Sequence, residues 1–171
     1  MIRILATALL ALSLTASGAF ATSMDDLVKR EGLYYKKFTD TPFTGVVDEG
    51  KRRGAFKNGE QEGPWFTYYE NGQLSDKGAY KNGKKEGPWV GYYENGKLYS
   101  KGAFKNGEQE GPWVLYYKNG QLLNKGAYKN GKKEGPWVWY NNDYYKNGQR
   151  YDGTKDEDFS GIYRNGEKVS D

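Results

Sequence analysis

Short alternations of large and small side chains recur along the chain from about residue 54. One covers residues 89–93 and ends at an Asn-Gly pair, and the next covers residues 97–104. Successive side chains of a β-strand point to opposite faces of a sheet. Trp89 and Gly91 are therefore predicted to share one face, with Val90 on the other. The pattern predicts short strands joined by tight turns.

A longer phrase repeats around these strands. Gly-Ala-Tyr-Lys-Asn-Gly-Lys-Lys-Glu-Gly-Pro-Trp covers residues 78–89 and returns unchanged at residues 126–137. A close variant covers residues 54–65 and 102–113. Self-similarity at a fixed period of this size is typical of a repeat architecture. Four tryptophans consequently lie 24 residues apart, at Trp65, Trp89, Trp113 and Trp137.

Asn-Gly pairs mark the turns between the strands. Their spacing alternates between 13 and 11 residues, and they begin at Asn58, Asn71, Asn82, Asn95, Asn106, Asn119 and Asn130. Asn-Gly favours the type I′ turn, which needs positive φ at both central residues. We therefore predict type I′ hairpins throughout. The fold class that follows is all-β: an elongated single-layer antiparallel meander of stacked β-hairpin repeats, about 50 Å or more long at about 4.8 Å per strand.

Glycine and proline refine this prediction. Glycines at fixed places among large rings, such as Gly102, predict that a neighbouring ring lies over the backbone. A proline precedes each repeated tryptophan, at Pro64, Pro88, Pro112 and Pro136. Proline favours strand starts and edges, so we expect each one to begin a strand.

The beginning of the chain resembles an export signal. Arg3 supplies a positive charge, residues 4–14 are apolar but too few to span a bilayer, and Ala19-Phe20-Ala21 fits a cleavage site. We predict a signal peptide over residues 1–21, cleaved after Ala21, and hence a periplasmic or secreted protein. The alternative interpretation is a buried N-terminal helix.

The remaining boundaries follow from where the repeat weakens. Residues 22–53 are predicted as a polar lead and a degenerate capping hairpin, residues 54–149 as the repeats, and residues 150–171 as a degenerate C-terminal repeat and cap. In the lead, Ser23 or Asp25 can cap one helical turn, although a mobile terminus is favoured. Near the C-terminus, the acidic run Asp156-Glu157-Asp158 is predicted to lie in a solvated loop.

Composition removes several classes of function. The chain has no cysteine and no histidine, so it offers no disulfide, no thiol nucleophile and no imidazole base or metal ligand. Its 26 basic and 22 acidic residues are interspersed, and Arg3 supplies one unit of the +4 net charge. This balance, with glutamates and lysines alternating along one turn edge, argues against a nucleic-acid partner. No segment after the signal is apolar enough to span a membrane.

One glutamate recurs in every repeat, at Glu62, Glu86, Glu110 and Glu134. Carboxylates can act as general acids or bases. A group present in every repeat is more easily explained by the fold, so a structural role near the turns is favoured. The run Asp156-Glu157-Asp158 does not have the spacing of an EF-hand loop. We predict no catalytic residues, no metal and no cofactor.

The aromatic residues allow two interpretations: a ladder that holds the sheet together, or a platform for a ligand. The insertion after Trp137 is unique in the chain and combines rings with amides; its alternative role is end-capping. The candidate partner-binding residues are therefore Trp139, Tyr140, Asn141 and Asn142, with Trp65, Trp89, Trp113, Trp137, Tyr69, Tyr93 and Tyr117 of the repeats.

These motifs resemble the variant MORN repeat. The resemblance is carried by Lys-Asn-Gly-x-x-Glu-Gly-Pro-Trp, Tyr-Tyr-x-Asn-Gly and Lys-Gly-Ala-Phe/Tyr, from about Gly54 to Gln149. Residues 32–45 also resemble the N-terminal part of bacterial YwqK-family antitoxins. The resemblance implies a sheet of stacked hairpins that binds proteins or lipids without catalysis. We expect an exported protein-interaction module, with an antitoxin- or immunity-like role as one form of it; the alternative is an envelope module that binds lipid headgroups or cell-wall glycan through its aromatic face.

Overall fold

A computed structural model describes residues 22–140 and 155–170 of the 171-residue chain, the side chains of residues 155–159 excepted. The predicted signal peptide, residues 1–21, lies outside the described residues, as do Asn141 and Asn142. The boundary predicted between residues 149 and 150 also lies outside them, and the predicted division into domains stays a prediction.

The described chain contains one 3-10 turn, Met24–Asp26, and a series of β-strands. In chain order they are β1 (Leu27–Arg30), β2 (Leu33–Lys36), β3 (Gly45–Glu49), β4 (Arg52–Lys57), β5 (Glu60–Tyr68), β6 (Leu74–Lys81), β7 (Lys84–Tyr92), β8 (Leu98–Lys105), β9 (Glu108–Gln109), β10 (Gly111–Tyr116), β11 (Leu122–Lys129), β12 (Lys132–Tyr140), β13 (Lys155–Arg164) and β14 (Glu167–Ser170).

The strands form one long antiparallel sheet and one small hairpin. β1 pairs with β2 alone, whereas β3 to β14 make a 12-stranded sheet in which neighbours in sequence are neighbours in space. β9 and β10 are two parts of one interrupted arm, and both pair with β8. The predicted all-β single-layer meander with a 24-residue period is confirmed.

The Asn-Gly turns are of two kinds, so the prediction of type I′ turns throughout is wrong. Both residues have positive φ in one set, for example Asn106 at 52° and Gly107 at 89°. The same holds at Asn58, Asn82, Asn130 and Asn165. At Asn71, Asn95 and Asn119 only the following glycine has positive φ.

The second kind of turn, seen at residues 69–73, is a longer loop in which the asparagine side chain forms a hydrogen bond within the turn. Gly72 N–H donates to the Tyr69 carbonyl at 3.0 Å and Tyr69 N–H donates to the Gln73 carbonyl at 2.8 Å. This is the pattern of a type I turn followed by a glycine bulge. The Asn71 side chain also accepts a hydrogen bond from Gln73 N–H at 3.0 Å. The alternation of 13 and 11 residues thus reflects two turn types.

The prolines do not begin the strands, contrary to expectation. Pro64, Pro88 and Pro136 lie inside β5, β7 and β12. Each follows a glycine with positive φ, and the pairing with the preceding strand shifts there, as between Trp65 opposite Gly54 and Glu62 opposite Ala55. A bulge is one of the few places where a strand tolerates proline. Gly-Pro therefore bends a continuous strand.

The core is a row of indoles along one face of the sheet. Trp65, Trp89, Trp113 and Trp137 are only 3%, 6%, 7% and 1% exposed. Each indole lies over the glycine of the preceding strand, so closely that a methyl group on that glycine would overlap the ring; the pairs are Trp65 on Gly54, Trp89 on Gly78, Trp113 on Gly102 and Trp137 on Gly126. The glycines are thus required by close approach, as predicted.

Rings from neighbouring strands separate the indoles. Phe56, Tyr80, Phe104, Tyr128 and Tyr163 meet them edge to face, with ring centroids 5.0 to 6.5 Å apart. Such contacts contribute about 0.5–1.5 kcal/mol per pair beyond area burial. A continuous ladder of rings therefore replaces the second layer that most sheets pack against.

The N-terminal end of the ladder is closed by the segment expected to be mobile. Ser23 caps the 3-10 turn by accepting a hydrogen bond from Asp25 N–H, and the Asp26 carboxylate accepts one from Ser23 N–H, both at 2.9 Å. Leu27 and Phe43 then pack against Val47, Phe56 and Trp65. The lead is an ordered cap because it covers an otherwise exposed end of the aromatic row.

The C-terminal end also differs from expectation. The acidic run Asp156–Asp158 lies in β13, where Asp156 pairs with Trp139, and not in a loop. Gly161 then stands opposite Trp137, as Gly78 stands opposite Trp65. β13 and β14 therefore continue the repeat geometry to the end of the described chain.

Candidate functional site

The repeated tryptophans, which are candidate binding residues, lie within the packed face. Two indole N–H groups are used by the fold: Trp89 donates to the Ala79 carbonyl at 3.2 Å and Trp137 to the Ala127 carbonyl at 3.0 Å. The ladder function of these rings is therefore visible in the structure. A direct role in binding stays a prediction, and it would have to use the small exposed rim of each indole.

Two lysines cover part of this ladder. The Lys85 ammonium lies 4.1 Å from the centre of the Trp89 ring and 4.9 Å from that of Phe104. The Lys133 ammonium lies 4.7 to 4.9 Å from the ring centres of Trp137, Trp139 and Tyr163. Burial against the rings lowers the pKa of both lysines. On the packed face, the ammonium groups of Lys85 and Lys133 thus make cation–π contacts with rings of the ladder.

The candidate tyrosines join consecutive repeats. The hydroxyl of Tyr69 donates to the Tyr92 carbonyl at 2.6 Å, and that of Tyr93 to the Tyr116 carbonyl at 2.7 Å. Tyr117 donates to the Tyr140 carbonyl in the same way, at 3.0 Å. Burial raises the pKa of the Tyr69 and Tyr93 hydroxyls. Their polar ends are engaged in the fold, so a partner would meet the rings and not the hydroxyls.

The recurring glutamates also join repeats, which confirms their expected structural role near the turns. The Glu86 carboxylate accepts a hydrogen bond from the backbone N–H of Asn106, the first residue of the next type I′ turn, at 2.8 Å. Glu62, Glu110 and Glu134 accept from the equivalent N–H groups of Asn82, Asn130 and Asn165 at 2.9 to 3.0 Å. In the first turn, the hydroxyl of Thr44 takes this place and accepts from Asn58 N–H.

The unique insertion is only partly described. Trp139 and Tyr140 continue β12 instead of forming a loop, and the pairing with β13 shifts between Trp137 and Trp139. Trp139 N–H donates to the buried Ser160 hydroxyl at 3.0 Å. The structure thus places Trp139 on the packed face, two residues after Trp137, and Tyr140 on the opposite face, next to a bulge. Their binding role stays a prediction.

Of the candidate residues that the structure describes in the sheet, Tyr140 alone belongs to the face opposite the indoles, because it follows Trp139 in β12. Trp89 pairs with Gly102, so the next pair, Val90 with Lys101, lies on the other face. Lys77 and Lys125 take the place of Lys101 in the adjoining repeats, opposite Val90 and Val114 respectively. The signal was present in the sequence, because a basic residue precedes Gly-Ala in each repeat.

This opposite face is open and partly apolar. Val46, Phe66 and Ile162 are 45%, 36% and 38% exposed. Val46 pairs with Ala55, Phe66 with Lys77, and Ile162 with Pro136, so all three belong to the face that carries the lysines. The half-buried Val90 and Val114 lie on the same face between the lysines, so this face combines apolar and basic side chains.

Within residues 22–140 and 160–170, no group of three or more acidic side chains is arranged to hold a metal ion. Over the same ranges, no helix has the length and apolar character needed to cross a membrane.

Comparison with known families identifies the repeats. Residues 61–82, 85–106 and 109–130 each match the MORN repeat variant. Residues 61–130 thus contain three repeats similar to the MORN variant. The matches begin in β5, β7 and β9, so each MORN unit spans one tryptophan strand, the following strand and the type I′ turn after it. No curated protein matches the chain significantly in sequence.

MORN repeats generally form non-catalytic binding modules. In this chain the repeats form one sheet, with one face packed with rings and the other face open. Among the described residues, the open face exposes Val46, Phe66 and Ile162, and Trp139 and Tyr140 are half-buried.

Proposed function

We propose that this MORN-repeat chain is an exported, non-enzymatic module that binds another protein, in the manner of an immunity protein or antitoxin. The observation that carries the proposal is the open face, which exposes apolar side chains from Val46 at one end to Ile162 at the other. Export rests on the signal-like residues 1–21. A rigid sheet with one open face offers a long contact surface at little entropic cost.

Two further features support a binding function without catalysis. The glutamates that offered acid–base chemistry accept backbone hydrogen bonds at the turns. The chain contains no histidine or cysteine to serve as a base or nucleophile. Its regular geometry is suited to presenting a surface.

The test is a crosslinking pull-down. The tagged protein is exported in its native host, recovered from the envelope fraction, and its crosslinked partners are identified by mass spectrometry. We expect one dominant protein in stoichiometric amount. Recovery of lipid or wall fragments alone would overturn the proposal in favour of the envelope-binding alternative.

Surface variants locate the contact. Val46→Ser with Phe66→Ser changes the open face, and Trp139→Ala changes the packed face near Trp137. Phe38→Ser is the matched control, because Phe38 is fully exposed and lies in the N-terminal segment outside the sheet. Loss of the partner in either surface variant, with retention in the control, supports a dedicated binding surface.

A further inference from the structure

A row of lysines crosses the open face, one in each repeat. Lys77, Lys101 and Lys125 are exposed, and none forms an ion pair with another described residue. Arg53 continues the row at its N-terminal end, where it contacts Asp48 at 2.7 Å. We call Lys77, Lys101 and Lys125 the lysine row.

The spacing of the row follows from the sheet. Successive lysines are two strands apart, which corresponds to about 9.6 Å at about 4.8 Å per strand. Valines stand between them, since Val90 pairs with both Lys77 and Lys101, and Val114 with both Lys101 and Lys125. The surface therefore alternates positive charge and apolar contact at a regular interval.

A second basic row runs parallel to the first. Lys81, Lys105 and Lys129 follow the lysine row by four residues and share its face, about 13 Å along the strands. Small or rigid residues lie between the two rows: Ala79, Ala103 and Ala127, with the exposed Pro88 and Pro112. Carboxylates accompany this second row: Glu86 stands opposite Ala79 and accepts a backbone N–H from the next turn, and Glu108 stands opposite Lys105. The lysine row has no carboxylate opposite it, because its cross-strand partners are Phe66 and valines. The result is a shallow trough in which the lysine row is the side without compensating carboxylates.

We propose that this trough binds an extended acidic segment of a partner protein in the polyproline II conformation, an inference that rests on the proposed protein-binding function. A polyproline II helix has three residues per turn and rises about 3.1 Å per residue, so every third side chain points the same way at intervals of about 9.3 Å. Acidic residues at every third position match the lysine row. Flexible lysine side chains absorb the small remaining difference.

Other conformations fit less well. In a β-strand, residues three apart point to opposite faces. In an α-helix, the repeat closest to this spacing is seven residues, or about 10.5 Å, a mismatch of about 0.9 Å per lysine against about 0.3 Å for polyproline II. The valines, alanines and prolines also favour a partner with apolar side chains over a phosphodiester chain.

The experiment measures binding of synthetic peptides to the purified protein. The probe contains repeated Glu-Pro-Pro triplets, and a peptide of Glu-Gly-Ser triplets has the same charge and length without the conformational preference. Single-stranded oligo(dT) and anionic vesicles test the other polyanions. We expect salt-sensitive binding of the Glu-Pro-Pro peptide, stronger than that of the three other probes. Equal or stronger binding of any of them overturns the proposal.

Charge-matched variants assign the binding to the row. Lys77→Gln/Lys101→Gln/Lys125→Gln is expected to weaken binding of the Glu-Pro-Pro peptide about tenfold, the scale of three exposed ion pairs. The control carries Gln at Lys37, Lys97 and Lys118, which are exposed and lie outside both rows. Equal weakening in both variants would show a net-charge effect and overturn the assignment.

The same variants separate this inference from the proposed function. If the row variant still captures its native protein partner in the pull-down, the chain is a protein-binding module that uses another surface, and this inference fails alone. If the wild-type chain captures no protein, the proposed function fails whatever the peptides show.

Discussion

At the level of single residues, the fold depends on pairs of a tryptophan and a glycine, in which the indole ring occupies the space that a side chain on the glycine would fill. Trp113 lies against Gly102 so closely that a Cβ on the glycine would overlap the ring. The glycine is not in the left-handed region, so its backbone conformation does not require glycine. Space alone makes it necessary.

We therefore expect Gly102→Ala to lower the free energy of unfolding by about 1–3 kcal/mol, the usual cost of overpacking. Urea titration measures it. Trp113→Phe in the same chain removes the overlapping part of the ring, so the double variant should lose less than the sum of the two single variants. Strict additivity would contradict a direct ring-on-glycine contact.

The lysines over the ladder make stability depend on pH. Burial lowers the pKa of Lys85 and Lys133 below the ordinary lysine value. The unfolded chain therefore binds more protons than the folded chain between the lowered pKa values and about 10.4, and stability rises with pH in that window.

The repeats themselves suggest the control, because Gln61 and Gln109 occupy the equivalent positions. Lys85→Gln with Lys133→Gln should remove this contribution. The difference in unfolding free energy, wild type minus variant, is expected to increase as pH rises towards about 10.4. Tyr80 and Tyr128 pair with these lysines, so the comparison is made below about pH 9, where tyrosines of ordinary or raised pKa remain largely protonated. A difference that is flat or falls with pH would contradict the burial argument.

At the level of elements, one dipeptide forms two turns. Asn106 has positive φ and begins a type I′ turn. Asn95 does not; its side chain accepts from Lys97 N–H at 3.1 Å and donates to the Lys118 carbonyl of the next repeat at 3.2 Å. Asparagine is thus favoured in the type I′ turn because it adopts positive φ, and in the other turn because its side chain forms two hydrogen bonds.

Substitution by glycine distinguishes these roles. Asn106→Gly should change stability by no more than about 0.5 kcal/mol, because glycine adopts positive φ readily. Asn95→Gly should cost about 1–2 kcal/mol, since two hydrogen bonds are lost. Thermal unfolding of the two variants side by side provides the comparison; equal losses would show that the turns are equivalent after all.

At the level of the whole molecule, the sheet is a one-dimensional stack in which each repeat contacts its neighbours. Such stacks gain stability from each interface and tolerate changes in repeat number. Here the interfaces are the ring ladder, the tyrosine hydroxyls and the glutamate-to-turn hydrogen bonds.

Deleting residues 78–101 removes one period and joins two equivalent points of the repeat. We expect a folded protein with strand-type circular dichroism and a smaller urea m-value, because less surface is exposed on unfolding. Deleting residues 78–89 is the control: it removes about half a period, so the antiparallel alternation is broken and that protein should fail to fold. Similar behaviour of the two deletions would contradict a strict two-strand unit.

The repeat, its period and the strand-turn-strand order could all be predicted from the amino-acid sequence, because they depend on local rules: alternation for strands, Asn-Gly for turns, glycine where rings crowd the backbone. The structural role of the recurring glutamates could be predicted as well. Residues such as Glu86 and Gly102 could be interpreted without coordinates because repetition ties them to the architecture.

Features that depend on register and on neighbours across the sheet emerged only from the three-dimensional fold. The Gly-Pro bulge inside the strands, the choice between two Asn-Gly turns, and the ordered N-terminal cap over Val47 arise from contacts between residues distant in sequence. The open face has the same origin. Lys77, Lys101 and Lys125 lie 24 residues apart in the chain, and antiparallel pairing across two strands is what aligns them into one row.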